Sequence, residues 1–218
     1  MMNHTSNSTV DSILDAAEAL FAEKGFTETS LRAITSAANV NLAAVNYHFG
    51  SKEKLIQAVF ARFLDPFSEY LNTQLKEKFK NTDEQPPRLK ELLELFAYTI
   101  YAMRSERLKT KDQVFVRLSG LAFSQGEGHL LDFIRKQYGE VFARYMGLYK
   151  KACPHIPNEE LFWRIHFALG ATMFSLSGYE VLASFVPQNA NNESPTVITV
   201  YKYLIPFLIA GLSAEAND

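Results

Sequence analysis

The residues whose types and spacing suit them to chemistry lie between Thr29 and Leu55, TSLRAITSAANVNLAAVNYHFGSKEKL, and the chemistry is recognition rather than bond making. Asn46 carries an amide that can pair bidentately with an adenine edge, while Tyr47, His48 and Lys52 can reach phosphate oxygens. Ala43 and Ala44 are short enough to let a helix backbone settle deep in a major groove. With Thr29, Ser30, Arg32, Asn41 and Leu42, which precede them, they form a candidate DNA-binding set.

Two short helices must position these groups. Thr29 is expected to cap a helix from Ser30 to about Ala37, with Leu31, Ile34 and Ala38 on one side. The break Ala38-Asn39-Val40-Asn41 has the length of a tight turn, and Asn41 caps a second helix from Leu42 to Phe49 that Gly50 ends. Val45 and Phe49, with Leu42, are expected to pack inward, leaving the candidate contacts outside. The spacing is that of a helix-turn-helix, though an ordinary helical hairpin shares it.

Ahead of this pair, Val10, Ile13, Leu14, Ala17, Leu20 and Phe21 recur at helical spacing and predict an amphipathic helix from about Thr9 to Lys24, ended by Gly25. Phe26 should close back on Phe21. Behind it, Ser51 caps a helix whose stripe Leu55, Ile56, Val59, Phe60, Phe63, Leu64 and Phe67 outruns a small head, with a bend expected near Pro66. The predicted division is therefore 1–55 for the DNA-binding domain and 56–218 for a ligand-binding and dimerisation domain.

After the polar stretch Glu77 to Arg88 the pattern predicts helices over Arg88–Ser105, Lys111–Gln125, Gly128–Ala152, Asn158–Phe185 and Pro195–Glu215, and no strand. The fold class read from this is all-α. The last two helices are apolar around too much of their circumference for one buried face. On the first, Leu161, Ile165, Leu169 and Leu176 mark one side and Phe162, Gly170, Met173 and Phe174 another; on the second, Ile198, Ile205 and Phe207 fall outside the main stripe. A second copy of the chain would cover the spare side, which predicts a homodimer.

Catalytic constellations are missing from the sequence: no H-E-x-x-H, no paired cysteines, no G-x-S-x-G and no phosphate-cradling loop. Neither an enzyme nor a cofactor is expected. His129, His155 and His166 are too scattered for a metal site, and Cys153, the one cysteine, can form no internal disulfide, which suits a reducing cytoplasm. Phe115, Leu121, Phe123, Phe133, Phe142, Phe162, Gly170 and Phe174 are candidates to line an apolar cavity between helices, where Arg117 and His166 could meet a ligand's acidic head. The plainer alternative, also open, makes the aromatics core, Trp163 and Phe167 among them, and gives Arg117 and His166 intrachain partners. The start MMNHTSNSTVDS has no signal-peptide pattern, and the apolar runs fall short of the ~20 residues of a membrane span. A net charge of -2 argues against non-specific coating of nucleic acid. Most acids of the N-terminal region fall on its first helix, whereas Arg32, Lys52 and Lys54 flank the proposed recognition helix.

The run VNLAAVNYHFGSKEKL, preceded by AEKGF and ETSLRAI, resembles the DNA-binding domain of TetR-family one-component regulators over about residues 10 to 60. Tyr47, His48, Phe49 and Lys52 match the family pattern; Asn46 departs from it, standing where a Tyr is commonest. The segments NLAAVNYHFGSKEKLIQAVFARFL, VRLSGLAFSQGEGHLLDF and ELFWRIHFALGATMFSLSG further resemble the PsrA-like, long-chain fatty-acid-responsive branch. The resemblance implies a TetR-like fold and a homodimeric repressor of fatty-acid metabolism genes. Such a repressor would bind a palindromic DNA operator and be released by a hydrophobic effector, a long-chain fatty acid or acyl-CoA. An efflux-pump regulator answering to hydrophobic drugs, and a helical lipid carrier that never touches DNA, are the alternatives.

Overall fold

In the computed structural model, residues 3–82, 84–102, 112–125, 128–177, 179–186 and 197–216 are described, and among them every regular element is an α-helix. By packing, the chain forms two compact units, each discontinuous in sequence: Met1–Pro66 with Thr110–Gly139, and Phe67–Lys109 with Glu140–Asp218.

The first unit opens with α1 (Asn3–Glu28), which begins earlier than expected. The polar residues before Thr9 are modest helix formers but include neither Gly nor Pro to stop the ladder. Gly25 ends its long helical run as expected: its φ of 83° and ψ of 171° leave helical geometry, and only the short piece Phe26–Glu28 is helical beyond it. Phe26 does close on Phe21, ring centroids 5.3 Å apart.

Next come α2 (Leu31–Ala37) and α3 (Leu42–Phe49). The first cap lies one residue later than expected. Ser30 is the N-cap, its Oγ accepting the Ala33 N–H at 3.1 Å. Thr29 is buried and turned towards α1, where its hydroxyl lies 2.7 Å from the Gly25 carbonyl and 3.1 Å from that of Leu20. The second cap is as expected, Asn41 Oδ1 accepting the Ala44 N–H at 2.8 Å. Between the helices Asn39 takes φ 53°, a left-handed conformation asparagine tolerates better than most residues. Gly50, at φ 76°, stops α3, and Ser51 caps α4 (Lys52–Lys78), which continues through Pro66.

After α5 (Leu89–Ala102), α6 (Asp112–Ser124) returns the chain to the first unit and packs on α1; the start of α7 (Gly128–Ala152) adds the buried Leu130 and Tyr138. The boundary between units thus falls inside α4, after Pro66, and inside α7, after Gly139. Tyr138 donates its hydroxyl proton to Asp65 at 2.7 Å, within the first unit.

The second unit holds the remainder of α4 and α7 with α5, α8 (Asn158–Ser177), α9 (Tyr179–Phe185) and α10 (Val197–Ser213). Every described residue of the helix expected from Asn158 to Phe185 is helical, in α8 and α9, with residue 178 outside the described residues. Its core gathers Leu71, Leu75, Leu92, Leu161, Leu208 and Leu212, and α10 packs on both α8 and α5. Arg164 of α8 holds Glu160 and caps α10, donating to the carbonyls of Ala214 and Glu215 at 2.6 Å each.

Two tyrosines carry hydroxyls into this core. Tyr145 donates to the Leu92 carbonyl at 2.6 Å, which leaves Tyr149 to donate to the Tyr145 oxygen, 2.9 Å away. Burial raises both phenols, that of Tyr149 from 10.0 to about 12. Unfolded tyrosine ionises first, so between pH 10 and 12 the unfolded chain binds fewer protons and stability falls as pH rises. Denaturant titrations across this alkaline range should show that loss, and Tyr149→Phe should make it shallower; an unchanged slope would remove Tyr149 from the account.

Candidate nucleic-acid interface

The α2–α3 pair is assembled by a small apolar contact and two caps. Ile34 of α2 and Val45 of α3 are buried, Val45 to 1% exposure, so α3 has one fixed face and one free face. Ala43, Asn46 and Tyr47 stand on the free face, Tyr47 at 85% exposure, while Ala44 and His48 at its edges are half-buried. Ser30 and Arg32 are exposed on α2, and Asn41 is exposed with its side chain engaged in the cap. Leu42 was expected to pack inward and does not: it is 38% exposed. A helical side chain covers the turn N-terminal to its own Cα, and at the first position of α3 there is no such turn. Thr29, by contrast, is drawn inside, so its hydroxyl holds the end of α1 rather than facing outward.

Charge is arranged to suit an anionic partner. Arg62 of α4 gathers Asp15 at 2.8 Å, Glu18 at 3.4 Å and Asp11 at 3.8 Å, so three acids of α1 that balanced the N-terminal region meet a cation of α4. Arg32 and Lys54 are exposed on α2 and at the start of α4. Lys52 rests its ammonium 3.3 Å from the Thr27 carbonyl, an exposed contact that a phosphate oxygen can replace. Beside it the Ser51 hydroxyl holds the exposed Glu53 carboxyl below its ordinary value.

The link from α1 to α2, Gly25 to Ser30, is pinned from three directions. Thr29 bonds back to α1, Lys52 reaches Thr27 from α4, and Gln125 Oε1 accepts the Phe26 N–H at 3.1 Å. Sequence reasoning placed Gln125 only as the last residue of the predicted helix Lys111–Gln125. A partner 99 residues away leaves no local signal.

The residues expected to line a ligand cavity are not brought together within either unit. Phe115 stacks on Phe63 with ring centroids 4.8 Å apart and lies edge-on to Phe60 at 5.9 Å; Phe133 rests edge-on to Tyr138 at 5.9 Å, and Leu121 is half-buried. All three belong to the first unit, whereas Phe142 packs in the second, 6.4 Å from Phe67. Arg117 is exposed, and the side chain of Phe123 lies outside the described residues. Phe162, His166, Gly170 and Phe174 stand on the outside of α8: Phe162 is 52% and Phe174 68% exposed, and a Cβ on Gly170 would meet nothing within 4 Å. His166 is exposed too, its Nδ1 2.7 Å from the Phe162 carbonyl. Trp163 and Phe167, expected in the core under the plainer reading, share this exposure. On an all-round apolar helix, periodicity cannot say which face its own chain covers. Here the covered face is that of Leu161, Thr172 and Leu176.

Among the described residues there is no group of three or more His, Cys, Asp or Glu able to hold a metal ion, and no helix long and apolar enough to cross a membrane.

Residues 13–59 match the family described as "Bacterial regulatory proteins, tetR family", and residues 100–211 match "Tetracyclin repressor-like, C-terminal domain". YttP of Bacillus subtilis, described as an HTH-type transcriptional regulator, is 37% identical over 79 residues, 36% of this chain and 38% of that one. The HTH-type transcriptional repressor KstR2 of Rhodococcus jostii is 39% identical over 59 residues, 27% of this chain and 29% of that one. The matches therefore span well under half the length of these curated relatives. Among solved structures, the fatty acid degradation regulator FadR from Bacillus halodurans superposes with a TM-score of 0.60 at 16% identity, over 94% of this chain and 96% of that one. AmtR of Mycobacterium smegmatis does so with a TM-score of 0.56 at 20% identity, over 94% of this chain and 86% of that one. At such identities the likeness is one of fold.

Proposed function

Because the chain belongs to the TetR family of bacterial regulatory proteins, we propose that it is a homodimeric transcriptional repressor that grips a palindromic DNA operator and releases it on binding a hydrophobic effector. The observation that carries this reading is the capped α2–turn–α3 pair, with Val45 inward and Asn46 and Tyr47 outward beside Arg32, Lys52 and Lys54. One such head reads only a few base pairs, so two-fold protein symmetry calls for two-fold DNA symmetry. The exposed aromatic face of α8 and α10 is the surface a second copy would cover. Functionally we assign residues 1–55 to DNA binding and 56–218 to effector binding and dimerisation, in a cytoplasmic protein.

The effector we propose is a long-chain fatty acid or its acyl-CoA thioester. Support comes from the PsrA-like segments VRLSGLAFSQGEGHLLDF and ELFWRIHFALGATMFSLSG. FadR, described as a fatty acid degradation regulator, shares the fold, which makes acyl ligands the first to try. Release requires that the effector bind the DNA-incompetent arrangement of the protein better than the competent one, since only that difference shifts the population.

Selection of duplexes from a random pool with the full chain tests the reading: a palindrome is expected, and failure to enrich any duplex defeats it. On the selected site Asn46→Ala should cost about 1–3 kcal/mol at one base position. Lys52→Ala should weaken all duplexes and lower the salt slope by about one. A uniform loss from Asn46→Ala would move that residue to phosphate contact. Titration with acyl chains of graded length should show release strengthening by ~0.8 kcal/mol per methylene until the site is full; release by unrelated drugs and by no acyl species would replace the fatty-acid assignment with an efflux-type one.

A further inference from the structure

We propose that Gln125, just past the end of α6, is a positioning residue for DNA recognition, its carboxamide setting the α1–α2 junction from which α2 and α3 are hung. The inference rests on the DNA-binding reading above. At Gly25 the backbone leaves helical geometry, and the N–H of the next residue, Phe26, donates to Gln125 Oε1 at 3.1 Å. The same carboxamide occupies the space beside Gly25: a Cβ there would lie 2.6 Å from Gln125 Nε2. Glycine is favoured at 25 by its φ of 83°, while a Cβ there would only push the flexible end of Gln125 aside.

The other two pins on this junction, Thr29 and Lys52, belong to the head's own sequence. Gln125 does not. It closes α6, whose Phe115 packs on Phe60 and Phe63 of α4, and just beyond it the His129 carbonyl accepts from Gln57 Nε2 of α4 at 3.2 Å. Gln125 and His129 are therefore held by α1 and by α4 respectively. Displacing the end of α6 must carry the junction along or release the Phe26 amide. If the closed clasp favours the DNA-competent placement of α2 and α3, bound DNA must favour the clasp to the same extent.

The test uses the full chain and a duplex selected with wild type. Gln125→Leu removes the acceptor at similar size and should weaken duplex binding roughly tenfold with an unchanged salt slope, because no phosphate contact is lost. Gln125→Glu keeps an acceptor and should recover most of the affinity. Hydrogen exchange supplies the second readout: the Phe26 amide should exchange faster in Gln125→Leu than in wild type, and added duplex should slow it in wild type alone. If Gln125→Leu aggregates, Gln125→Asn withdraws the same amide by one methylene and serves instead. Wild-type affinity in Gln125→Leu overturns the proposal, as does equal weakening in the Leu and Glu variants. Equal Phe26 exchange in wild type and Gln125→Leu overturns the clasp without reference to DNA, whereas a wild type that selects no duplex defeats the DNA-binding reading itself.

Discussion

Phe207→Glu should leave a folded chain that no longer dimerises and binds its operator at least a hundredfold more weakly. Within the second unit α8 and α10 pack on each other through Leu161, Leu204 and Leu208, while Phe162, Trp163, Phe167, Phe174, Tyr203 and Phe207 stay outside. Phe207 is 66% exposed in the single chain, so a carboxylate there meets water and folding proceeds. Across an isologous interface each copy would bury that carboxylate without a partner, at about 3–5 kcal/mol, and symmetry applies it twice. Separated heads also forfeit the second, intramolecular binding event, typically worth a factor of about 10² to 10⁴. Sedimentation and duplex titration read the two consequences separately. A Phe207→Glu protein that remains a dimer with full operator affinity would place the interface elsewhere.

Arg164→Met should lower the stability of the second unit by about 3 kcal/mol and its melting temperature by roughly 6–12 °C. The guanidinium is only 11% exposed, binds Glu160 through Nε at 3.0 Å, and gives its remaining protons to the carbonyls that α10 leaves unpaired at its end. Removing it strands a half-buried carboxylate together with those acceptors, and the cation also stands at the negative end of the helix. Arg164→Lys should recover only part of the loss, since one ammonium cannot span Glu160 and two carbonyls. Thermal melts compare the three proteins directly; equal melting of Arg164→Met and wild type would show that the cap contributes nothing.

What the sequence disclosed, and what it withheld, follows the range of the interactions. Asn41, Gly50 and Ser51 act on neighbours within four residues, and each cap or stop is where local chemistry put it. Thr29 and Ser30 are both competent caps, and their choice turned on whether the end of α1 lay close enough to bond Thr29, a tertiary fact. On α8 the two apolar sides were legible as two sides, yet Phe162, Gly170 and Phe174 suited a cavity and an outer face equally by composition. Gln125 was hidden altogether, because its partner is a backbone amide, and an amide has no residue type to recognise.

The interleaving of the two units bears on how such regulators could be recombined. A hybrid made by transplanting residues 1–55 would carry α1, α2 and α3 but leave behind Phe60 and Phe63, the Phe115 ring against them, and the carboxamide under Gly25. The transplantable part includes 110–139 as well, two stretches of chain that must travel together. The Phe26 amide and the Gln125 carboxamide that bonds it lie one in each stretch, so the head is packed as one piece although the gene writes its parts apart.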